Sequence, residues 1–190
     1  MFYICNSIIK KMEFETDKGT SHSYIEIYDR LFENLYELKL NMLEIGIASG
    51  GSMPLWKHYF PYSNIYGVED HSEKYSINKE ILNDRSYNII IEDITNHKMM
   101  DRHISDIVFD VVVDDGSHRL EDQLSAIHYF KNKMNTEGLY IVEDCCGYYD
   151  FNSNWREQFY AAKPDGWKMT IVDRRFVKNR LDDILVIFET

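Results

Sequence analysis

Two pairs of acids and one histidine carry the chemistry that this sequence offers. Asp114 and Asp115 close the apolar run 109–113 (FDVVV), and His118 follows three residues after Asp115. Glu143 and Asp144 close a second run, 139–142 (LYIV). If both runs are neighbouring parallel strands, they end on one edge of the sheet and the four acids converge there. Crowded carboxylates repel and raise one another's pKa unless a cation sits among them. Oxygen ligands at strand ends, with room for water and substrate oxygens, suit Mg²⁺ or a similar divalent ion. His118 is the best general base in the chain, because an imidazole titrates near neutral pH. Acids that are separately solvated, and a histidine that merely packs or caps a helix, are the competing readings.

A glycine turn complements these acids. In 41–52 (NMLEIGIASGGS) the apolar Met42, Leu43 and Ile45 read as a buried strand, broken by Gly46, Gly50 and Gly51. Strand, glycine turn and helix together form the arrangement that binds a nucleotide-like ligand. The spacing is not the G-x-G-x-x-G of a dinucleotide site. Glu44, two residues before the first glycine, suits a ligand with a positively charged end, as in the ammonium and sulfonium of S-adenosylmethionine. Some twenty residues on, strand 64–68 ends at Glu69 and Asp70, either of which could accept from the ribose hydroxyls. Strand 87–91 ends near Asp93, placed for an exocyclic amine, and Ile94, placed to cover an adenine ring.

The elements that must position these residues follow in order. Tyr24, Ile27, Tyr28, Leu31 and Leu35 recur at helical spacing and predict a helix over 22–38, with Lys18 and His22 as cap or site residues before it. A polar helix is expected over 72–84, and another carrying Leu120, Leu124, Ile127, Phe130 and Met134. The runs at 167–172 and 184–188 flank a charged loop and suit a terminal antiparallel pair. The expectation is a single α/β domain over 1–190, with a mostly parallel, doubly wound sheet closed by that pair.

Composition narrows the partners. A formal charge of −11 argues against a nucleic-acid backbone as ligand. Three cysteines without C-x-x-C spacing suggest neither a disulfide framework nor a zinc site, so a reducing cytoplasm is expected. No run approaches the ~18 apolar residues of a membrane span. The partners expected are a small-molecule or glycan acceptor, with no nucleic acid and no membrane; homo-oligomerisation is left open.

Five motifs are similar to one family: T-D-K-x-x-x-H-x-Y at 16–24, L-E-I-G-I-A-S-G-G-S at 43–52, F-P-x-x-x-I-Y-G at 60–67, V-D-D-G-S-H at 113–118 and Y-I-V-E-D at 140–144. Together they resemble the metal-dependent sugar O-methyltransferases, over roughly residues 16–146. D-D-G-S-H with the later E-D is the most specific part. The resemblance implies a Rossmann-like class I S-adenosylmethionine-dependent methyltransferase fold. It implies Asp115, Glu143 and Asp144 as Mg²⁺ ligands and His118 as base, with Asp115 also at the reacting centre. It extends the cofactor set of Glu44, Gly46, Gly50, Glu69, Asp70, Asp93 and Ile94 to Lys18, Ser49, Ser52 and Asp114. No counterpart of the additional N-terminal domain carried by the family's macrolide-modifying members is expected in this chain. Acceptor contacts are therefore expected from the aromatic-rich stretch 147–165, for which a place in the core is the other reading. Two rival functions remain: an O-methyltransferase of another small molecule, such as a catechol, and a protein that binds S-adenosylmethionine or a nucleotide without chemistry.

Overall fold

Seven strands form one sheet in the order β3-β2-β1-β4-β5-β7-β6 in the computed structural model, which describes residues 14–70, 77–145 and 154–190. The strands are β1 (Asn41–Ile45), β2 (Asn64–Glu69), β3 (Tyr87–Ile91), β4 (Phe109–Asp114), β5 (Met134–Val142), β6 (Lys168–Asp173) and β7 (Ile184–Glu189). The first five run parallel, and β7 inserts antiparallel between β5 and β6. The strand order reverses at β1, which pairs with β2 on one side and β4 on the other. A crevice opens at such a switch point, beyond the carboxyl ends of the strands.

The apolar runs are nearly continuous because both faces of the sheet are covered. Leu43, Val112, Tyr140, Val142, Val186 and Phe188 face one core with α4 (His97–Ile104), α5 (Leu120–Phe130) and α6 (Trp155–Ala162). Met42, Val111, Val113, Ile141, Leu185 and Ile187 face the other, against α1 (Ile25–Leu31) and α2 (Met53–Tyr59). Pro54 in the first turn suits the start of α2, where its missing N–H costs nothing. Two further short helices are α3 (Lys79–Asn83) and α7 (Arg175–Lys178).

Three expectations need correction. The first helix covers Ile25–Leu31, not 22–38. Beyond Phe32 the chain makes tight turns, Leu35 N–H to Phe32 O and Leu38 N–H to Leu35 O, which bring it round into β1. Met134 lies in β5, since α5 stops at Phe130. Of the polar helix expected over 72–84, residues 79–83 are helical, while 71–76 fall outside the described residues. The aromatic stretch 147–165 is described only from residue 154, where Trp155 and Phe159 pack into the core and Tyr160 is exposed. Among the described residues, no helix is long and apolar enough to cross a membrane.

Candidate active site

A cavity of about 770 Å³ lies at the carboxyl edge of the parallel strands, within the size range of small-molecule sites. One wall is the glycine turn after β1, with Gly46, Ser49, Gly51 and Ser52 among its residues. Glu69 and Asp70 follow from the end of β2, and Asp93 and Ile94 from beyond β3. Asp115 and His118 come from the loop after β4, Asp144 from the end of β5, and Glu15 and Asp17 from the N-terminal segment. The doubly wound topology brings residues 129 positions apart, Glu15 and Asp144, to one space.

Backbone conformation at this edge is unusual. Ala48, His118 and Asp144 have φ of 48°, 56° and 51°, a left-handed region that side chains rarely occupy. All three line the cavity. Such residues cost stability and gather at functional sites. Gly46, at φ 80°, could bear no side chain: a Cβ there would lie 2.3 Å from the Asp115 carbonyl oxygen. Likewise a Cβ on Gly51 would lie 1.8 Å from the carbonyl oxygen of Glu15, so the N-terminal segment passes directly over the turn.

The acids meet as their strand-end positions require. Asp115 Oδ1 stands 4.0 Å from His118 Nδ1, and one ligand atom each of Asp115, His118 and Asp144 fits within 4.8 Å. Burial, and then repulsion from Asp115, pushes the Asp144 carboxyl up to about 7. Asp144 Oδ1 accepts from the Tyr24 hydroxyl at 2.5 Å and lies 3.2 Å from His22 Nδ1. His22, Asp144 and Asp182 form a second group of that kind, and Asp182 is also held by Arg180.

Glu143 turns the other way. One oxygen accepts from the Tyr28 hydroxyl and the other from Lys18 Nζ at 2.8 Å. Burial and the nearby Asp115 charge push its carboxyl well above the ordinary range. The Lys18 ammonium lies 2.6 Å from Asp115 and 3.2 Å from Glu44 as well. Burial alone would depress Lys18, but Asp115, Glu143 and Glu44 outweigh it and hold the ammonium charged.

Several expected cofactor residues stand behind the cavity rather than in it. Glu44 is fully buried, engaged by the Ser52 hydroxyl and Lys18, and not open to a ligand's charged end. Lys18 is buried too, so neither it nor His22 is a solvated cap residue. Asp114 accepts from Tyr140 and from the Gly116 N–H, and burial pushes its carboxyl up to about 6. Gly50, with φ 88°, faces Ile81. Of the ribose candidates, Glu69 accepts from the Ala48 N–H at 2.5 Å, which ties β2 to the glycine turn. Asp93 accepts from the N–H and the hydroxyl of Thr95. The sequence reading missed Tyr24 and Tyr28. Their helical spacing marked them as core, and nothing in that spacing shows that their hydroxyls end on Asp144 and Glu143.

No family model matches the chain. It is 30% identical over 138 residues to the 8-demethyl-8-alpha-L-rhamnosyl tetracenomycin-C 2'-O-methyltransferase of Streptomyces olivaceus, a match covering 68% of this chain and 35% of that protein. It is 31% identical over 137 residues to the demethylmacrocin O-methyltransferase of Streptomyces fradiae, covering 66% and 32%. The chain thus spans about a third of the length of these curated relatives. Among solved structures it is similar to the MycE methyltransferase of the mycinamycin biosynthetic pathway in complex with Mg and SAH. The TM-score is 0.61 at 28% identity, over 69% of this chain and 35% of that one. Over about two thirds of this chain, and on a shared Rossmann-like class I methyltransferase fold, the chain is thus similar to these O-methyltransferases.

Proposed function

We propose that the protein transfers a methyl group from S-adenosylmethionine to a hydroxyl of a sugar, carried on a small molecule or a glycan, with a divalent ion such as Mg²⁺ at the acid cluster. The observation that carries this reading is one cavity onto which the glycine turn, the two acids Glu69 and Asp70 at the end of β2, and the Asp115, His118 and Asp144 group all open. The relatives support it, being O-methyltransferases by name, one of them of a rhamnosyl compound, as does the MycE complex with Mg and SAH.

The residues fit both groups. Gly46 and Gly51 let the loop after β4 and the N-terminal segment close on the turn and shape the cavity wall, and Glu69 and Asp70 offer acceptors for ribose hydroxyls. Asp93 and Ile94 stand where a base would lie against the sheet edge. Asp115 and Asp144 are hard oxygen donors whose mutual repulsion a cation would relieve. Glu143, one residue before Asp144, backs these ligands in the present arrangement through its bonds to Tyr28 and Lys18. Bound there, a divalent cation supplies Lewis-acid polarisation of an acceptor hydroxyl. His118, partly exposed on the cavity wall beside Asp115, takes the proton from that hydroxyl at an imidazole nitrogen. Donor and acceptor held in line within the cavity would lower the barrier further. The net charge of −11 supports an acceptor other than nucleic acid, and the composition supports a cytoplasmic enzyme.

Incubation with S-adenosylmethionine, Mg²⁺ and a panel of glycosides and catechols, read by mass spectrometry, tests the reading. A mass gain of one methyl on a glycoside is expected. Methylation of catechols alone would move the acceptor to the phenolic class. If calorimetry detects NAD binding but none of S-adenosylhomocysteine, the methyltransferase reading fails.

A further inference from the structure

Charge along the carboxyl edge of the sheet changes sign from one end to the other. The glycine turn, Glu69 and Asp93 belong to β1 to β3 and the turns after them, among cavity walls rich in carboxylates, so the donor takes that end. Among the described residues that line the cavity, Arg119 is the one arginine or lysine. Asp115, His118 and Asp144 follow β4 and β5, which leaves an acceptor the side of β7 and β6 to approach from. The connection from β6 to β7, residues 174–183, stands on that same edge. Asp173 at its start pairs with Ile184, and Val186 pairs with Val142 at the end of β5. The connection carries Arg174, Arg175, Lys178 and Arg180 in a chain of net charge −11. Arg174 turns back to Ser23 and Glu26. The other three remain at the surface. Asp182 engages Nε and Nη2 of Arg180 at 3.0 and 2.8 Å, and Asp173 engages the same atoms of Arg175 at 2.9 and 2.6 Å. A two-point bond of this kind fixes the guanidinium plane while taking only part of its five-donor fork. In Arg180, 37% exposed, Nη1 is left without a hydrogen bond among the described residues. Lys178 is held by the carbonyls of Gly19 and Thr20, which leave its charge uncancelled. Asp182 and Asp144 bring oxygens within 4.8 Å of one another, so Arg180 stands next to the reacting edge.

We propose that Arg175, Lys178 and Arg180 form a phosphate-reading rim, and that the acceptor is a sugar joined to phosphate. This rests on the proposed function for the methylated hydroxyl and for the donor at the other end of the cavity. Guanidinium forks match phosphate oxygens two at a time, and a lysine adds a point charge. A strongly acidic chain repels phosphate over most of its surface, so a stretch where cations gather decides where such a ligand docks. With its phosphate on the rim, the acceptor reaches inward past Asp182 to Asp144 with its sugar. Phe176, 81% exposed between Arg175 and Lys178, offers a ring face to the sugar or to a base beyond the phosphate. Contacts so far from the transferred methyl hold ground state and transition state alike, so the discrimination belongs in KM rather than kcat.

Inorganic pyrophosphate, titrated by calorimetry in EDTA, reads the rim apart from metal and methyl transfer. The wild type is expected to bind it, and the double variant Arg175→Gln, Arg180→Gln to bind it at least roughly tenfold more weakly, the usual worth of a charged hydrogen bond. Affinity for S-adenosylhomocysteine should be unchanged. Should the double variant not fold by circular dichroism, each single variant is read in its place, with the same direction expected. No binding by the wild type, or equal binding by a folded variant, overturns the inference. The acceptor is then tested with S-adenosylmethionine, Mg²⁺ and a panel of hexoses, each as methyl glycoside, 1-phosphate and uridine diphosphate ester. A KM at least tenfold lower for a phosphate-bearing form is expected, the advantage disappearing in the variant with kcat little changed. Preference for the 1-phosphate assigns the rim to a sugar phosphate, and preference for the diphosphate ester assigns it to a nucleotide sugar. Methylation of glycosides without any gain from phosphate overturns the inference and leaves the proposed function standing. Pyrophosphate binding that the variants lose, with methylation of no form, would sink the proposed function and leave the rim standing.

Discussion

His118 and Asp144 both hold left-handed backbone conformations on the cavity wall, and their side chains have separate jobs. As a base, His118 should be dispensable for binding but not for turnover. His118→Ala is expected to lower kcat by roughly 10²–10⁴-fold, the usual worth of general acid–base catalysis, with the affinity for S-adenosylhomocysteine little changed. Near wild-type turnover on the true acceptor would assign the proton to another group. Asp144→Asn should behave differently. It keeps the shape of the side chain but removes the charge that a divalent ion needs, so activity should vanish together with metal binding while cofactor binding persists. Titrating Mn²⁺ into the variant checks this, and wild-type affinity there would exclude Asp144 as a ligand.

At the scale of elements, the N-terminal segment and the glycine turn depend on one another. Glu15 passes so close over Gly51 that a single methyl group would meet its carbonyl at 1.8 Å. Gly51→Ala must therefore push the segment off the turn. Overpacking of this kind costs about 1–3 kcal/mol, to be read from denaturant unfolding. The shift also moves Asp17 and the turn that aims Lys18, so calorimetry should find weaker binding of S-adenosylhomocysteine. A variant as stable as the wild type, with unchanged binding, would mean that the segment is not seated on the turn in solution.

Over the whole molecule, the sheet gathers acids at one edge against their mutual repulsion. Asp144 is pushed up to about 7 and Asp114 to about 6, each first by burial, from an ordinary value of 3.8. A carboxyl whose pKa is raised on folding favours the native state below its ordinary value and loses that contribution as pH rises through the raised one. In metal-free protein these two groups therefore withdraw stability between about pH 4 and pH 7. A divalent ion binds the ionised form and opposes the loss. The rise in Tm on adding Mg²⁺ should be larger at pH 8 than at pH 5. An equal rise at both would separate metal binding from ionisation of the cluster.

Much of this architecture is legible in the residues themselves. The apolar runs ending in acids, the glycine turn and the terminal antiparallel pair follow from local patterning, because strand type and turn chemistry depend on near neighbours. The convergence of Asp115 and Asp144 follows from topology, since parallel strands end on one edge. Which way a side chain turns there is not local. Glu44 and Glu143 could face a ligand by position, yet both turn to Lys18, which comes from over twenty residues before the first of them. Tyr24 and Tyr28 look apolar by periodicity, yet each places a hydroxyl on an acid over a hundred positions away. The sequence alone determined the sheet and the edge where the acids gather. Tertiary packing decided which acids remain open to the cavity, because a buried charge must find its partner wherever the fold puts one.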